Sequence, residues 1–303
     1  MKAPATLDEF YRSFPTERRC WEALRRVRWP EGFRCPRCEA RRAHRLRARG
    51  LWQCAGCRYQ VSVTAGTPFH GTRVPLRTWF LAMFFVARHK QGISALQFQR
   101  DAGLGSYKTA WTLLHKVRSA LAHHPLFPLE GDVEVDETYI GGYRAGWNGR
   151  GVGKTGGAIA IERREKTAGS MRLVKIPRAT RVVLNSFVQS SIRPDETTVF
   201  TDAWGSYKAL AKLGIDHRPR KGGHGRQALD ILPWAHTVFG NLKTWLRGTF
   251  HGVSPKHLQR YLDEFRYRCD RRVREAELFG FVLLRVARGH ALPYRRLGAE
   301  EAA

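Results

Sequence analysis

The run Glu130-Gly-Asp-Val-Glu-Val-Asp-Glu-Thr-Tyr-Ile-Gly-Gly142 alternates through its middle. Val133, Val135 and, after a shift, Tyr139 and Ile140 are apolar, while Glu134 and Asp136 are acidic. Period-two alternation with β-branched residues predicts a half-buried strand, closed by the Gly141-Gly142 pair. Glu134 and Asp136 then share one face of it and Glu137 takes the other. Aspartate is depleted in strands, so Asp136 needs a reason to be there. One reason is an edge strand with a solvated acidic face. The other is chemical. Clustered carboxylates in a strongly basic chain can hold Mg²⁺ while nearby Lys and Arg hold phosphates.

A second set of chemical residues is Cys35-Pro-Arg-Cys38, then Cys54-Ala-Gly-Cys57. Two such pairs at this separation predict a structural zinc ribbon in which Cys35, Cys38, Cys54 and Cys57 close a tetrahedral site. So short a segment folds only with a cross-link, which zinc supplies. Cys20 lies on an apolar helical stripe and reads as core. Between the knuckles, Arg41-Arg-Ala-His-Arg-Leu-Arg47 predicts a basic hairpin, with Arg41, Arg42, Arg45 and Arg47 placed to meet phosphates and His44 part of that surface.

The composition agrees with a polyanion partner. Of 303 residues, 53 are Lys or Arg and 26 Asp or Glu, a net charge of +27. That balance points to DNA or RNA, or to an anionic membrane surface; a basic surface serving only solubility is the alternative. The longest apolar stretch, Trp79–Ala87, is too short to span a bilayer, and the N-terminus has no signal-peptide core. The expectation is a cytosolic protein with reduced cysteines and no membrane partner.

The positioning elements follow in order. A helix starts after Thr16 and stops before Pro30. Val61–Thr64 reads as a strand. Pro75–Lys90 is an apolar helix ended by Gly92, Ser94 caps a second to about Ala102, and a third runs from Tyr107 to about Ala122. Helix, glycine turn, helix is the helix-turn-helix layout, with Lys108, Thr109, Thr112, Lys116 and Arg118 offered to DNA; a plain three-helix bundle is the alternative. Tyr143–Lys154 is rich in glycine and cations. Asn148 stands where a phosphate-loop motif requires glycine, so the expectation is a DNA-contacting loop carrying Arg144, Arg150 and Lys154. Gly157–Glu162 and Met171–Ile176 predict a hairpin. Ala179–Ile192 predicts a helix with Val182, Val183, Phe187 and Val188 inward, and Thr197–Asp202 a strand. Aspartate at a strand's C-terminal edge is where site residues gather in α/β layers, so Asp202 is expected beside Asp136 in a mixed sheet. His217–His236 reads as irregular. A helix from Thr237 sets Asn241, Thr244 and Trp245 on one side, with Lys243 a phosphate-contact candidate. Ser254-Pro255 opens another helix through Arg268, Phe279–Val286 is helical, and Gly298–Ala303 reads as a disordered tail.

These motifs in this order resemble a family. A zinc ribbon, a helix-turn-helix, Val135-Asp-Glu-Thr-Tyr-Ile-Gly-Gly142, Thr201-Asp-Ala-Trp-Gly-Ser-Tyr207, His236-Thr-x-x-x-Asn241 and Tyr261-Leu-Asp-Glu-Phe-x-x-Arg268 resemble bacterial insertion-sequence transposases of the DDE superfamily with an N-terminal zinc ribbon. The likeness runs from about Phe10 to Arg272. It implies an α/β, RNase H-like catalytic domain over 130–290, preceded by a helix and ribbon (1–68) and a helix-turn-helix region (69–125), with a flexible tail (291–303). It implies catalytic Mg²⁺ or Mn²⁺ held by Asp136, Asp202 and a third ligand five residues after His236, which here is Asn241. Glu264 is the alternative third acid, or else a salt-bridge partner of Arg268. Glu137 reads as a structural neighbour of the site, and His236 as a phosphate contact or a core histidine. The implied activity is cleavage at the terminal inverted repeats and strand transfer into target duplex DNA. A dimer or larger assembly on DNA follows, in a bacterial cytoplasm. A zinc-ribbon DNA-binding regulator, a nuclease without strand transfer and an inactive copy are the competing readings.

Overall fold

The computed structural model describes residues 3–122, 127–141, 154–220 and 231–298. Along the chain come α1 (Leu7–Ser13), α2 (Glu17–Arg28), β1 (Ala43–Leu46), β2 (Leu51–Cys54), β3 (Gln60–Ser62), α3 (Leu76–Arg88), α4 (Ala95–Asp101) and α5 (Tyr107–Ala122). There follow β4 (Leu129–Ile140), β5 (Thr155–Arg163), β6 (Ala168–Ile176), α6 (Arg181–Ser191), β7 (Ile192–Asp202), β8 (Asp216–Arg220), α7 (Pro233–Phe250), α8 (Leu258–Cys269), α9 (Leu278–Arg288) and α10 (Tyr294–Gly298). The described residues fall into two compact units, one drawn from Met1–His123 and Arg271–Ala303, the other from His124–Asp270.

In the first unit, α1, α2 and α4 start on their own side-chain caps. Thr6, Thr16 and Ser94 accept the amides of Glu9, Arg19 and Gln97. Helix α3 begins at Pro75 and has no cap of its own. Glu17 supplies one from α2, taking the Leu76 amide at 2.7 Å and the Arg77 amide at 3.0 Å. Strands β1, β2 and β3 form an antiparallel sheet around Phe33, Cys35, Cys54 and Val61. The helical core is aromatic. Phe14 meets Phe80 at 4.9 Å and Phe279 at 5.6 Å, and Phe10 meets Phe84 at 5.2 Å.

Phe279 lies in α9, so the expected division at residue 290 is corrected. Helix α9 packs against α2, α3 and α5, because its buried Phe279, Val282 and Leu283 complete that aromatic core. The ribbon and the helical region likewise belong to one unit rather than breaking at residue 68. The expected tail is also partly ordered: Tyr294–Gly298 is helical and Leu297 is fully buried. Residues 299–303 lie outside the described residues.

The second unit is a five-stranded sheet of order β6-β5-β4-β7-β8. The pairs β4–β5 and β5–β6 are antiparallel; β4–β7 and β7–β8 are parallel. This is the mixed sheet that the RNase H-like expectation requires. One face packs Ile159, Ile161 and Phe200 against Leu232, Ala235, Leu242 and Leu262, from the segment opening α7, α7 itself and α8. The other packs Val133, Val135 and Val199 against Leu184, Phe187 and Val188 of α6. In α6, Phe187 and Val188 are buried and Val183 packs half-buried against the same core, as expected; Val182 is 78% exposed, and Leu184 takes the inward place assigned to it. Residues read as irregular prove regular at both ends: 216–220 form the edge strand β8, and α7 starts at Pro233, not Thr237.

Candidate functional site

Strand β4 places its acids as the alternation requires. Val133 and Val135 enter one core, and Glu134 lies on the opposite face under α7. The parallel register with β7 runs as far as Glu134 opposite Phe200. Two residues further along each strand stand Asp136 and Asp202. In parallel strands those positions share a face at the spacing of adjacent strands, roughly 4.8 Å. Asp136 is 5% exposed and Asp202 half-buried. The chain turns after Asp202, whose Oδ1 accepts the Trp204 amide at 3.2 Å.

From the far side of the sheet, Glu137 accepts the Tyr207 hydroxyl at 2.7 Å. Burial pushes the Tyr207 phenol well above its ordinary pKa, and Glu137, Asp136 and Asp202 push it further, so it stays a donor. This bond joins the residue after Asp136 to the turn after Asp202.

Helix α7 covers β4 and β5. It carries His236, whose Nε2 lies 3.9 Å from Asp136 Oδ2. Burial lowers the His236 pKa, against an opposing pull from Asp202, so the ring is neutral at pH 7. Lys243 is held below its ordinary value chiefly by burial, with Arg247 and Lys154 adding and Asp136 opposing. Three cations and Asp136 therefore share one neighbourhood. Asn241 and Thr244 are exposed on α7, whereas Trp245 turns into the core, so the expected common side holds for the first two. Glu264 is fully buried on α8, which packs on β6, two strands from β4, and Arg268 lies 3.7 Å from it. Its environment favours the ion pair.

The four cysteines come together. Cys35 and Cys57 sulfurs are 3.6 Å apart, Cys38 and Cys54 3.5 Å, and all four lie within 4.8 Å of one another. Tetrahedral Zn–S bonds of about 2.3 Å set sulfurs roughly 3.8 Å apart, so the set fits zinc. The two knuckles repeat each other. Glu39 and Arg58, each just after the second cysteine, hold left-handed φ of 61° and 59°. Their amides return to the Cys35 and Cys54 carbonyls at 2.9 and 3.1 Å, and Cys35 and Cys54 in turn donate to Ala40 and Tyr59. Neither positive φ was legible from residue type.

Arg41, Arg42, Arg45 and Arg47 are all exposed along the ribbon, as is His44. Arg41, Arg42 and His44 line an open cavity with Phe33 and Trp52. On α5 the expected contact set divides. Lys108 is exposed, with its ammonium 4.3 Å from the Tyr294 ring; Thr109 and Thr112 are half-buried. Two are corrected. Lys116 is half-buried and donates to the Pro68 carbonyl at 3.3 Å, and Arg118 is buried, donating to the Ile93 carbonyl at 3.2 Å. Lys154 is exposed at the start of β5; Arg144 and Arg150 lie outside the described residues. No helix among the described residues is long and apolar enough to cross a membrane.

Comparison with known proteins matches two segments of the chain, one inside the first unit and one nearly coincident with the second. Residues 128–270 match the ISXO2-like transposase domain and residues 15–60 the transposase zinc-ribbon domain. An uncharacterised protein in transposable element ISH50 of Halobacterium salinarum is 29% identical over 222 residues, covering 66% of this chain and 71% of the relative.

Proposed function

Since the chain belongs, through its zinc ribbon and its ISXO2-like domain, to the insertion-sequence transposases of the DDE type, we propose that it binds the terminal repeats of its element, cuts the DNA there and joins the freed end to target DNA. The observation that supports the reading is the parallel β4–β7 register, which ends at Glu134 opposite Phe200, two residues before Asp136 and Asp202 on their strands.

The donor set is hard. Two carboxylates, with the Asn241 carbonyl as third member, suit Mg²⁺ or Mn²⁺. Bound there, such a cation would act as a Lewis acid on the scissile phosphate and lower the pKa of an attacking water or 3′-hydroxyl. The chain's own residues supply the rest. Asp136 and Asp202 carry the negative charge that would hold such an ion. Asn241 adds an oxygen and no charge. Lys243, Lys154 and Arg247 form the cationic side on which a phosphodiester rests. His236 lies beside Asp136, and in its neutral form it can donate to a phosphate oxygen without placing a second positive charge beside the cation. The Glu137–Tyr207 bond holds the two strands behind the aspartates. A water or 3′-hydroxyl nucleophile needs no covalent enzyme intermediate. The ribbon arginines and Lys108 hold the duplex, and two ends engage two or more copies.

The test is cleavage and joining of a labelled duplex carrying the element's end, with Mg²⁺ or Mn²⁺. Asp136→Asn and Asp202→Asn should each keep end binding and lose cleavage by a factor of 10³ or more, on the order expected when a metal ligand is removed. Retained cleavage in either variant refutes the site. Tight end binding with no cutting by the wild type favours the regulator reading instead.

A further inference from the structure

Helix α7 opens on Leu232-Pro233 and has no side-chain cap of its own. Its first amides are nonetheless paired. The Trp234 and Ala235 N–H groups donate to one oxygen of Glu134 at 3.0 and 2.9 Å, across 100 residues of chain. The other oxygen faces the Arg163 guanidinium at 3.3 Å. That guanidinium lies 4.8 Å from the Phe200 ring, and the Arg220 guanidinium lies 5.3 Å from the same ring. Arg220 in turn is the register partner of Asp202 on β8.

Glu134 is fully buried. A buried carboxylate survives only when hydrogen-bonded and paired. This one has the positive end of an 18-residue helix dipole on one side and Arg163 on the other. Glu17 gives α3 the same device within the first unit. At Glu134 the place of the acid differs: it sits two residues before Asp136 on the same face of β4, and the helix it holds carries His236 and Asn241.

We propose that Glu134 is a positioning residue, and that its clasp on the first turn of α7 sets where Asn241 and His236 stand over Asp136 and Asp202. The inference rests on the metal-site reading above. His236 and Asn241 follow the clasped Ala235 by one and six residues, less than two turns, so a slip at the clasp is delivered to them almost undiminished. Partners that orient metal ligands from outside the coordination sphere change metal affinity by about 10- to 100-fold when removed.

The experiment titrates the full-length protein with Mn²⁺ alone by electron paramagnetic resonance. Hydrogen exchange of the Trp234 and Ala235 amides and thermal melting are read in parallel. Glu134→Gln keeps an acceptor but loses the charge; Glu130→Gln, on the same strand and exposed, is the control. The expected result is Mn²⁺ affinity lower by about tenfold in Glu134→Gln, with faster exchange at both amides, and no change in the control. Wild-type affinity in folded Glu134→Gln overturns the proposal. So does slow, wild-type exchange. Should Glu134→Gln fail to fold, Glu134→Asp, which keeps the charge and withdraws it by one methylene, carries the same two outcomes. A wild type that binds no Mn²⁺ outside the cysteine site, while Asp136→Asn leaves the titration unchanged, fails the metal-site reading and the proposal with it. Loss of binding in Glu134→Gln alone fails neither.

Discussion

Asp136 and Glu137 are neighbours in sequence and belong to different surroundings, and the single-residue alternation of a strand is the whole cause. Asp136 faces α7 and the cations; Glu137 faces the Tyr207 hydroxyl. Removing that donor leaves Glu137 buried with one hydrogen bond fewer. Tyr207→Phe should therefore destabilise the unit by about 1–3 kcal/mol, read as a fall of several degrees in melting temperature. A variant that melts with the wild type would show the bond to be dispensable. A second residue, His217, gives a pH prediction. It bonds the Thr201 hydroxyl at 2.9 Å, and burial holds its pKa below the ordinary value, against a smaller upward pull from Asp216. The folded state thus binds the proton less well than the unfolded chain. Its contribution is fully present above the unfolded pKa of about 6.5 and is lost as pH falls from there through the lower folded value. Melting temperature should drop between pH 7 and pH 5, and His217→Asn should flatten that slope. At this scale the sequence spoke clearly for the four cysteines, which come together, and for the strands that carry Asp136 and Asp202. It misled for Lys116 and Arg118, because charge suggested exposure while their positions on α5, flanked by Leu113, Leu114, Val117 and Leu121, decided burial.

Among elements, the legible ones were those whose periodicity was strong or whose ends carried caps. Tyr107–Ala122 and the strand around Asp136 fell where the pattern placed them. Strand β8 had no such pattern: Asp216-His-Arg-Pro-Arg220 lacks apolar alternation. It forms because β7 offers a free edge, where Pro219 and the cations Arg218 and Arg220 are tolerated. The start of α7 was missed for a related reason, since its cap comes from Glu134 on another element and no local residue announces it. The ribbon depends on its sulfurs in the same non-local way. Its core is only Phe33, Cys35, Cys54, Val61 and their half-buried neighbours. Zinc binding is then the larger part of its folding energy. Stripping zinc with a strong chelator should abolish amide protection across β1–β3 while α3 and α5 keep theirs, measured by hydrogen exchange. Protection retained in β1–β3 after complete zinc loss would overturn this.

For the molecule as a whole, the charge of +27 sets how it holds a polyanion. Each phosphate neutralised on duplex DNA contributes about −0.9 to the slope of log K against log salt. If Arg41, Arg42, Arg45 and Arg47 each meet a phosphate, replacing all four with alanine should reduce the magnitude of that slope by about 3 to 4. An unchanged slope would move the duplex off the ribbon. The partition of the chain was the least legible feature at this scale. Helix α9 is apolar enough to serve either core, and its amphipathic pattern says that it is buried, not what it is buried against.

That partition reaches into synthesis. A ribosome releases the Asp136 and Asp202 sheet before it releases Phe279, the ring that meets Phe10, Phe14, Phe80 and Phe84. The nascent chain must keep the aromatic slot of its first 122 residues open while an entire second unit is translated and folds. A frameshift near residue 275 would spare every acid of the sheet and all four zinc-ribbon cysteines, yet leave that slot without its plug, so the lesion would surface as an insoluble product rather than as a catalytically dead one.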